Sequence, residues 1–225
     1  MIIPLKDNVP THKVPIITVS LIVVNIFIFV WISLFLKSME KEIVRNYAFV
    51  PKEFLIAFTS RPDLMPYNVL TIFTSMFLHG GIFHVLGNML YLWIFGNNIE
   101  DTIGKGRFVV FYLLSGLVAA LSQYSTDPAS QMPMIGASGA VSGVLGAYLV
   151  MYPYAKIKTL LFLFVFFTTT EIPAVLLLTI WFLIQVVFAY GPGVAWFAHI
   201  GGFVFGMITI YIFAIGRTIN RSRTA

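Results

Sequence analysis

The sequence predicts an all-α membrane protein in which six transmembrane helices form a bundle and a large outer loop follows the first helix. Of the 225 residues, 59% are hydrophobic and 10% are charged, whereas a soluble domain is about half apolar and a quarter charged. The mean hydropathy is +0.91, and the apolar residues fall into runs that approach the ~20 residues needed to cross a bilayer. The absence of Cys excludes a disulfide scaffold, thiol catalysis and thiolate metal sites.

The first span is the uncharged 21-residue run from Ile16 to Leu36, which is about 30 Å long as a helix. Lys6 and Lys13 precede it, as basic residues precede the apolar core of a signal peptide. The run is longer than such a core and no cleavage site of small residues follows it, so we expect a retained span. The next segment, Lys37 to Asp63, carries nine charges and predicts the large outer loop.

The remaining spans are separated by short connections. Glu100 to Arg107 predicts one polar turn, and Gly191 to Gly193 predicts another. The stretch Thr159 to Thr170 is apolar and β-rich, but its 12 residues are too few to cross a bilayer, so we expect an interfacial or re-entrant connection there. The six predicted spans cover residues 16–36, 82–98, 108–124, 136–154, 172–190 and 194–216.

Six spans place both termini on one side of the membrane, and nine of the fourteen Lys and Arg fall on that side. Because basic residues collect in cytoplasmic loops, we expect a cytoplasmic segment at residues 1–15, a membrane domain at 16–216 and a basic cytoplasmic tail at 217–225. The basic residues flank apolar runs, so the pI near 9.5 indicates this topology rather than a nucleic-acid partner. Without a targeting peptide or long appended domains, we expect a multi-pass protein of a prokaryotic plasma membrane.

Three polar side chains that are far apart in sequence fall at a similar depth. Ser138, His199 and His84 lie near the outer ends of spans four, six and two. Polar residues inside a bilayer are costly and mark functional sites. A Ser becomes a nucleophile when a base lies within hydrogen-bond reach, and His is the usual base. No acidic residue falls at this depth, so the pattern predicts a Ser–His dyad rather than a triad, in an active site that faces the outer side.

One face of span two carries further polar groups. His84, Asn88 and Tyr91 are spaced i, i+4 and i+7, which places them on the same side of a helix. If this face lies opposite Ser138, the imidazole and the amide can join the backbone N–H of Ser138 as oxyanion stabilisers.

Other interpretations of these residues are structural. A Ser within a span commonly bonds the carbonyl one turn before it. We expect His79, Asn25 and Gln185 to make structural hydrogen bonds. The His residues could bind a metal, but no His-Glu-x-x-His motif and no adjacent carboxylate is present, so we expect no metal. Small residues four apart commonly mark helix packing, and a contact between spans four and six is predicted by Gly139, Gly143, Gly202 and Gly206.

Together these motifs resemble those of the rhomboid family of intramembrane serine proteases, over roughly Thr71 to Gly206. The resemblance implies a six-helix bundle around a water-filled cavity that is open to the outer side. It also implies roles for the motif residues: Ser138 as nucleophile, His199 as base, His84, Asn88 and the Ser138 backbone N–H as oxyanion stabilisers, and Gly136 at the rim of the site. The motifs are His79-Gly-Gly-Ile-Phe-His84 with Asn88, Gly136-Ala-Ser138-Gly139, and Ala198-His199-Ile-Gly-Gly202 with Gly206.

Two positions depart from the family pattern. The Trp-Arg pair of the family's first outer loop should fall near Leu70 and Thr71, where it is absent. The aromatic residue that in the family lies four positions after the nucleophile and packs on the catalytic His is Ser142 here. Another group must therefore orient His199.

The resemblance implies an intramembrane serine endopeptidase that cleaves single-span membrane proteins in or near their transmembrane segment through an acyl-enzyme, without a cofactor. We expect its partners to be these substrates and the lipid bilayer, with substrates approaching past span five and the segment Tyr190 to Trp196. The alternative is a catalytically inactive rhomboid-like protein that binds and remodels membrane proteins. Such relatives usually lose the Ser or the His, and both are present here. A transporter would require ionisable residues near mid-membrane or internal repeats, and the sequence has neither.

Overall fold

The computed structural model describes residues 2–163, 166–191 and 193–216 and is mostly helical. Residues 217–225, predicted to be a basic tail, and Pro192 of the predicted turn lie outside the described residues. Short helical turns occur at Lys37–Met39, Pro62–Leu64 and Ser75–Phe77, and a π-helical segment at Leu92–Gly96. The main elements are β1 (Ile2–Asp7), α1 (Ile16–Phe35), α2 (Glu40–Tyr47), α3 (Pro51–Thr59), α4 (Met65–Thr74), α5 (Ile82–Tyr91), α6 (Asn97–Ile103), α7 (Lys105–Thr126), α8 (Ser138–Met151), β2 (Lys156–Leu163), β3 (Phe166–Pro173), α9 (Ala174–Val187) and α10 (Trp196–Ala214).

Three of the described helices, α1, α7 and α10, are long and apolar enough to cross a membrane. The helical segments Pro62–Phe77 and Ile82–Ile103 pass the same test together, with a bend of 87° between them. Two further apolar helices, α8 and α9, have 14 residues each, which is shorter than a full span. The predicted bundle of membrane helices is therefore confirmed, whereas the number of six spans stays a prediction.

The second predicted span continues further than its polar sequence suggests. The helix that begins at Ile82 passes through the π-helical segment into α6 and ends at Gly104, whose φ of 85° favours glycine. Glu100 therefore lies on a helix, and the predicted polar turn over Glu100 to Arg107 is wrong. The physical reason is the position of α1, which begins after Pro15 without a side-chain cap. Glu100 accepts hydrogen bonds from the backbone N–H groups of Ile17 (3.0 Å) and Thr18 (2.7 Å), so a carboxylate from another helix caps the start of α1.

The described residues include a three-stranded antiparallel sheet, ordered β1-β2-β3. Within the described residues, the stretch Thr159 to Thr170 falls in β2 and β3, and its location as an interfacial or re-entrant connection stays a prediction. Its Phe, Thr and Leu side chains suit strands, and the predicted N-terminal segment supplies the third strand, with Ile2 opposite Leu161. Since β3 extends to Pro173, the helix of the fifth predicted span, α9, begins at Ala174 rather than at residue 172.

Helix α8 lies at the centre of the core, and its residues 140–148 are all buried. It packs against α10 almost backbone to backbone. A Cβ atom at Gly202 would overlap the carbonyl oxygen of Gly139, and one at Gly206 would overlap the carbonyl oxygen of Gly143. Glycine is required where backbones approach this closely. This contact fixes the position of the start of α8 relative to the start of α10.

Candidate active site

The candidate nucleophile, Ser138, is the first residue of α8. The chain enters the helix through Gly136, whose φ of 117° is a conformation that other residues rarely adopt. The backbone N–H of Gly136 donates to the carbonyl of Ser75 at 2.9 Å, and the N–H of Ala137 donates to Nε2 of His79 at 3.5 Å. The turn before Ser138 is therefore held from outside the helix, and His79 has a structural role in it.

Directly opposite Ser138, the first turn of α10 carries the candidate base, His199. The distance between His199 Nε2 and Ser138 Oγ is 2.8 Å, which is a hydrogen bond in the range expected for a nucleophile and its base. The other ring nitrogen, Nδ1, lies 2.8 Å from Oε1 of Gln185 on α9. Gln185 was expected to make an interhelical hydrogen bond, and its partner on α10 is the imidazole of the candidate base.

Aromatic rings flank the imidazole. The ring centroids of Trp181 and Trp196 both lie 6.2 Å from that of His199, Trp181 tilted by 36° and Trp196 edge-on at 81°. Ser142, at the position where the family has an aromatic residue, donates its hydroxyl to the carbonyl oxygen of Ser138 at 2.6 Å. Groups on α9 and at the start of α10 therefore surround His199 in place of an aromatic residue on α8.

Sequence reasoning missed Gln185 and the two Trp residues as parts of this site. One signal could have found two of them, because Trp181 and Gln185 are spaced i and i+4 and so share a face of α9. The polar residue on that face of an otherwise apolar helix is an amide, and a buried amide needs partners.

The opposite wall of the site is the polar face of α5. A Cβ atom at Gly136 would lie 2.6 Å from Nε2 of His84 and 3.6 Å from Nδ2 of Asn88, so both side chains approach the turn that precedes Ser138. His84 Nδ1 accepts the N–H of Gly80 at 3.4 Å, which leaves the ring proton on Nε2. The Nδ2 group of Asn88 is buried and has no hydrogen-bond partner in the described residues. Two donors are therefore available beside Ser138.

These groups line a cavity of about 670 Å³, which is within the range of ligand pockets. Its polar lining includes Ser138, His199 and Gln185, and its apolar lining includes Leu145 and Trp196. Tyr91, predicted on the same face as His84 and Asn88, also lines it. The described residues contain no group of three or more His, Cys, Asp or Glu that could hold a metal ion. The cavity therefore combines a hydrogen-bonded Ser–His pair with free donors and space for a short peptide segment.

A comparison with protein families matches the Rhomboid domain to residues 66–216, which is more than half of the chain. The chain belongs to the rhomboid family. This rhomboid is 35% identical over 151 residues to RHOMBOID-like protein 1 of Arabidopsis thaliana, covering 66% of this chain and 36% of that protein. It is 40% identical over 78 residues to Rhomboid protease GluP of Bacillus subtilis, covering 35% of this chain and 15% of that protein.

A third relative, the mitochondrial presenilin-associated rhomboid-like protein of Bos taurus, is 26% identical over 197 residues, which is 84% of this chain and 46% of that protein. The chain thus spans less than half the length of each of these relatives. The family match and the apolar helices establish a membrane protein. Because the relatives include bacterial, plant and mitochondrial proteins, they give no support to the expectation of a prokaryotic plasma membrane.

Proposed function

We propose that this rhomboid is an intramembrane serine endopeptidase that hydrolyses peptide bonds in or near the transmembrane segment of single-span membrane proteins. The observation that carries the proposal is the 2.8 Å hydrogen bond between Ser138 Oγ and His199 Nε2 inside a cavity of about 670 Å³. A partly buried Ser and a partly buried His, 61 positions apart in sequence, meet at the geometry that nucleophilic catalysis requires.

The chemistry follows from this pair. Ser138 Oγ attacks the carbonyl carbon of the scissile peptide bond while His199 Nε2 takes the hydroxyl proton. The C–N bond then breaks, and His199 gives that proton to the leaving amine, which leaves an ester on Ser138. Water, deprotonated by His199, attacks the ester and releases the carboxylic acid product and free Ser138. No step requires a cofactor.

The negative charge on the carbonyl oxygen requires donors that are already in place. We assign this role to the Ser138 backbone N–H, to His84 Nε2 and to Asn88 Nδ2. In support, Asn88 Nδ2 is buried without a partner in the part of the chain that the structure describes, and His84 Nε2 and Asn88 Nδ2 approach the turn before Ser138. Preorganised donors of this kind each contribute about 10²–10³ in rate.

We further propose that the substrate helix reaches the cavity past α9. Trp181 and Gln185 of this helix line the cavity, whereas the side chains of Leu183 and Val187 are 53% and 75% exposed at the surface of the protein. Helix α9 thus separates the cavity from a surface that suits lipid. A peptide bond within a helix is shielded by its own hydrogen bonds, so we expect substrates with helix-weakening residues near the cleavage point to be cut faster.

The test is cleavage of a model single-span substrate by purified protein in liposomes, with Ser138→Ala alongside. Ser125→Ala is the matched control, because Ser125 is an exposed Ser at the end of α7 that bonds only a backbone carbonyl. We expect the wild type and Ser125→Ala to cleave and Ser138→Ala to be inactive. Equal cleavage by Ser138→Ala would overturn the assignment. Binding without cleavage by the wild type, over several substrates, would favour the inactive, membrane-protein-binding alternative.

A further inference from the structure

We propose that Gln185 is the positioning residue for His199, holding its ring orientation and keeping its proton on Nδ1. The catalytic part of this inference rests on the function proposed above. The hydrogen-bond arrangement does not, and it can be tested without substrate. The inference assigns to α9 a residue that takes the place of the carboxylate of a catalytic triad, with a neutral amide instead of a charge.

The hydrogen-bond roles follow from one fixed partner. Gln185 Nε2 lies 3.1 Å from the carbonyl oxygen of Trp181, and a carbonyl oxygen can only accept. The amide is therefore oriented with its NH₂ group toward Trp181 and its oxygen, Oε1, toward His199. Because Oε1 can only accept, Nδ1 of His199 must carry the proton in the 2.8 Å bond between them.

The tautomer of His199 decides what Ser138 can do. With the proton on Nδ1, the lone pair of Nε2 faces Ser138 Oγ at 2.8 Å and accepts its proton. With the proton on Nε2, the ring would donate to Ser138 and could not act as its base. An amide that was free to turn could offer its NH₂ group to Nδ1 and select this second tautomer. The bond to the Trp181 carbonyl prevents that turn.

Because Gln185 is buried, its amide oxygen needs a hydrogen-bond partner within the protein. Gln185 is 5% exposed, so an amide oxygen without a partner there would carry the full cost of desolvation. Trp181 also packs against His199, so one turn of α9 supplies both the ring that flanks the imidazole and the carbonyl that orients the amide.

A neutral acceptor differs from a carboxylate in one respect. It selects the tautomer but adds little stabilisation to the imidazolium that forms when Ser138 attacks. Removing it should therefore cost less than the roughly 10⁴-fold loss associated with a wrong tautomer in the Ser-His-Asp triad. We expect Gln185→Leu to lower kcat by roughly 10–100-fold with little change in KM, because Gln185 acts through His199 and not on the bound substrate.

Two variants and one control isolate the effect. Gln185→Leu keeps the approximate volume and removes the acceptor, whereas Gln185→Glu keeps an acceptor oxygen. Asn25→Leu is the matched control: Asn25 is a fully buried amide on α1 that also donates to the carbonyl four residues earlier, that of Leu21. We expect a lower kcat in Gln185→Leu than in the wild type. We expect the kcat of Gln185→Glu to be at least tenfold higher than that of Gln185→Leu, and the kcat of Asn25→Leu to equal that of the wild type.

The substrate-free readout is the ¹⁵N spectrum of the imidazoles, of which the chain has four, with His199 assigned from a His199→Ala sample. We expect a neutral His199 protonated at Nδ1 in the wild type and in Asn25→Leu, and a mixture of tautomers in Gln185→Leu. An unchanged tautomer or an unchanged kcat in Gln185→Leu would overturn the inference, as would equal losses in Gln185→Leu and Gln185→Glu. An inactive wild type that shows the Nδ1–H tautomer would count against the proposed function alone.

Discussion

Helix α8 has polar clusters at both of its ends, and the two clusters are built differently. At its start, Ser138 and His199 share a hydrogen bond in an open cavity, and the nearby Asn88 Nδ2 has no partner among the described residues. Three turns further on, Tyr148 donates to Asp7 Oδ2 at 2.6 Å, and Asn98 Nδ2 donates to the same carboxylate oxygen. The first cluster keeps donors free for a ligand, whereas the second uses them to join strand β1 to the helical bundle.

The difference indicates what each end contributes. Unpartnered buried donors cost free energy, so a fold retains them where a ligand completes them. A carboxylate that accepts several hydrogen bonds instead resists separation of the elements that carry its donors. We therefore expect substitutions at the start of α8 to change rate without changing stability, and substitutions at the sheet end and at the α1 cap to change stability without changing chemistry.

The largest effect should come from the packing that supports both ends. Gly206→Val would drive a side chain into the carbonyl of Gly143, and since this atom belongs to the backbone, the helices must separate. We expect a loss of more than about 3 kcal/mol in unfolding free energy, measured in detergent micelles, together with loss of cleavage. The control is Gly106→Ala, at which an added Cβ meets no atom within 4 Å. Comparable stability of the two variants would contradict the close contact.

The second prediction concerns the free donor. Asn88→Ala should lower kcat by about 10²–10³ through loss of an oxyanion donor and leave the unfolding free energy near its wild-type value, because Nδ2 has no partner to lose. Asn68→Ala is the control, since this buried Asn on α4 donates to the carbonyl of Leu64, away from the cavity. A fall in stability with unchanged kcat would show that Asn88 belongs to the structural class instead.

The third prediction concerns Glu100, for which we expect stability to fall and kcat to be retained. Glu100→Gln replaces one of the carboxylate oxygens that accept the N–H groups at the start of α1. Hydrogen bonds to charged groups contribute about 1.5–3 kcal/mol, so we expect a loss of about 2 kcal/mol in unfolding free energy with kcat retained. Glu53→Gln, at an exposed position in α3, should leave both quantities unchanged. A lower kcat in Glu100→Gln with wild-type stability would contradict the role of Glu100 as the cap of α1.

The smallest effect should depend on pH. Burial raises the pKa of Asp7 above its ordinary value of 3.8, so the folded state binds the proton more tightly than the unfolded chain does. Stability is therefore highest below the unfolded pKa and falls as pH rises through the folded pKa. Asp7→Asn removes this charge and can donate to Asn98 Oδ1, which is buried and has no partner within the described ranges. We expect a gain of up to about 1 kcal/mol at neutral pH that disappears in acid, and a gain independent of pH would contradict the cause.

The sequence alone predicts the helical bundle, the pairing of Ser138 with His199 and the glycine contact, for a common reason. Polar residues and small residues are conspicuous inside apolar runs, and their place along a span gives their depth. Two residues at a similar depth on different spans can be paired without knowledge of how the spans are rotated about their axes. Depth alone suffices to predict the Ser138–His199 pair, because Ser138 lies at the start of a helix. It also suffices to predict the glycine contact, because a row of glycines identifies the face of the helix on which it lies.

The contacts of Gln185, Glu100 and β1 depend on information that the sequence pattern does not contain. Gln185 meets His199 only for one rotation of α9 about its axis, and an apolar helix with lipid on one side does not reveal that rotation. Glu100 is charged, so it suggests a turn until the position of α1 is known. Residues 2–7 form a strand because β2 offers them an edge, and that edge comes from residues 150 to 159 positions later.

This last pairing has a consequence for biosynthesis. Ile2 finds its partner at Leu161, and a ribosome that adds about 5–20 residues per second needs roughly 8–30 seconds to make the intervening chain. During that interval the N-terminal strand has no edge to join, although the helix that follows it has already been made. Closure of the sheet is therefore a late event, and the Asp7 carboxylate stays hydrated until α8 and β2 have been synthesised.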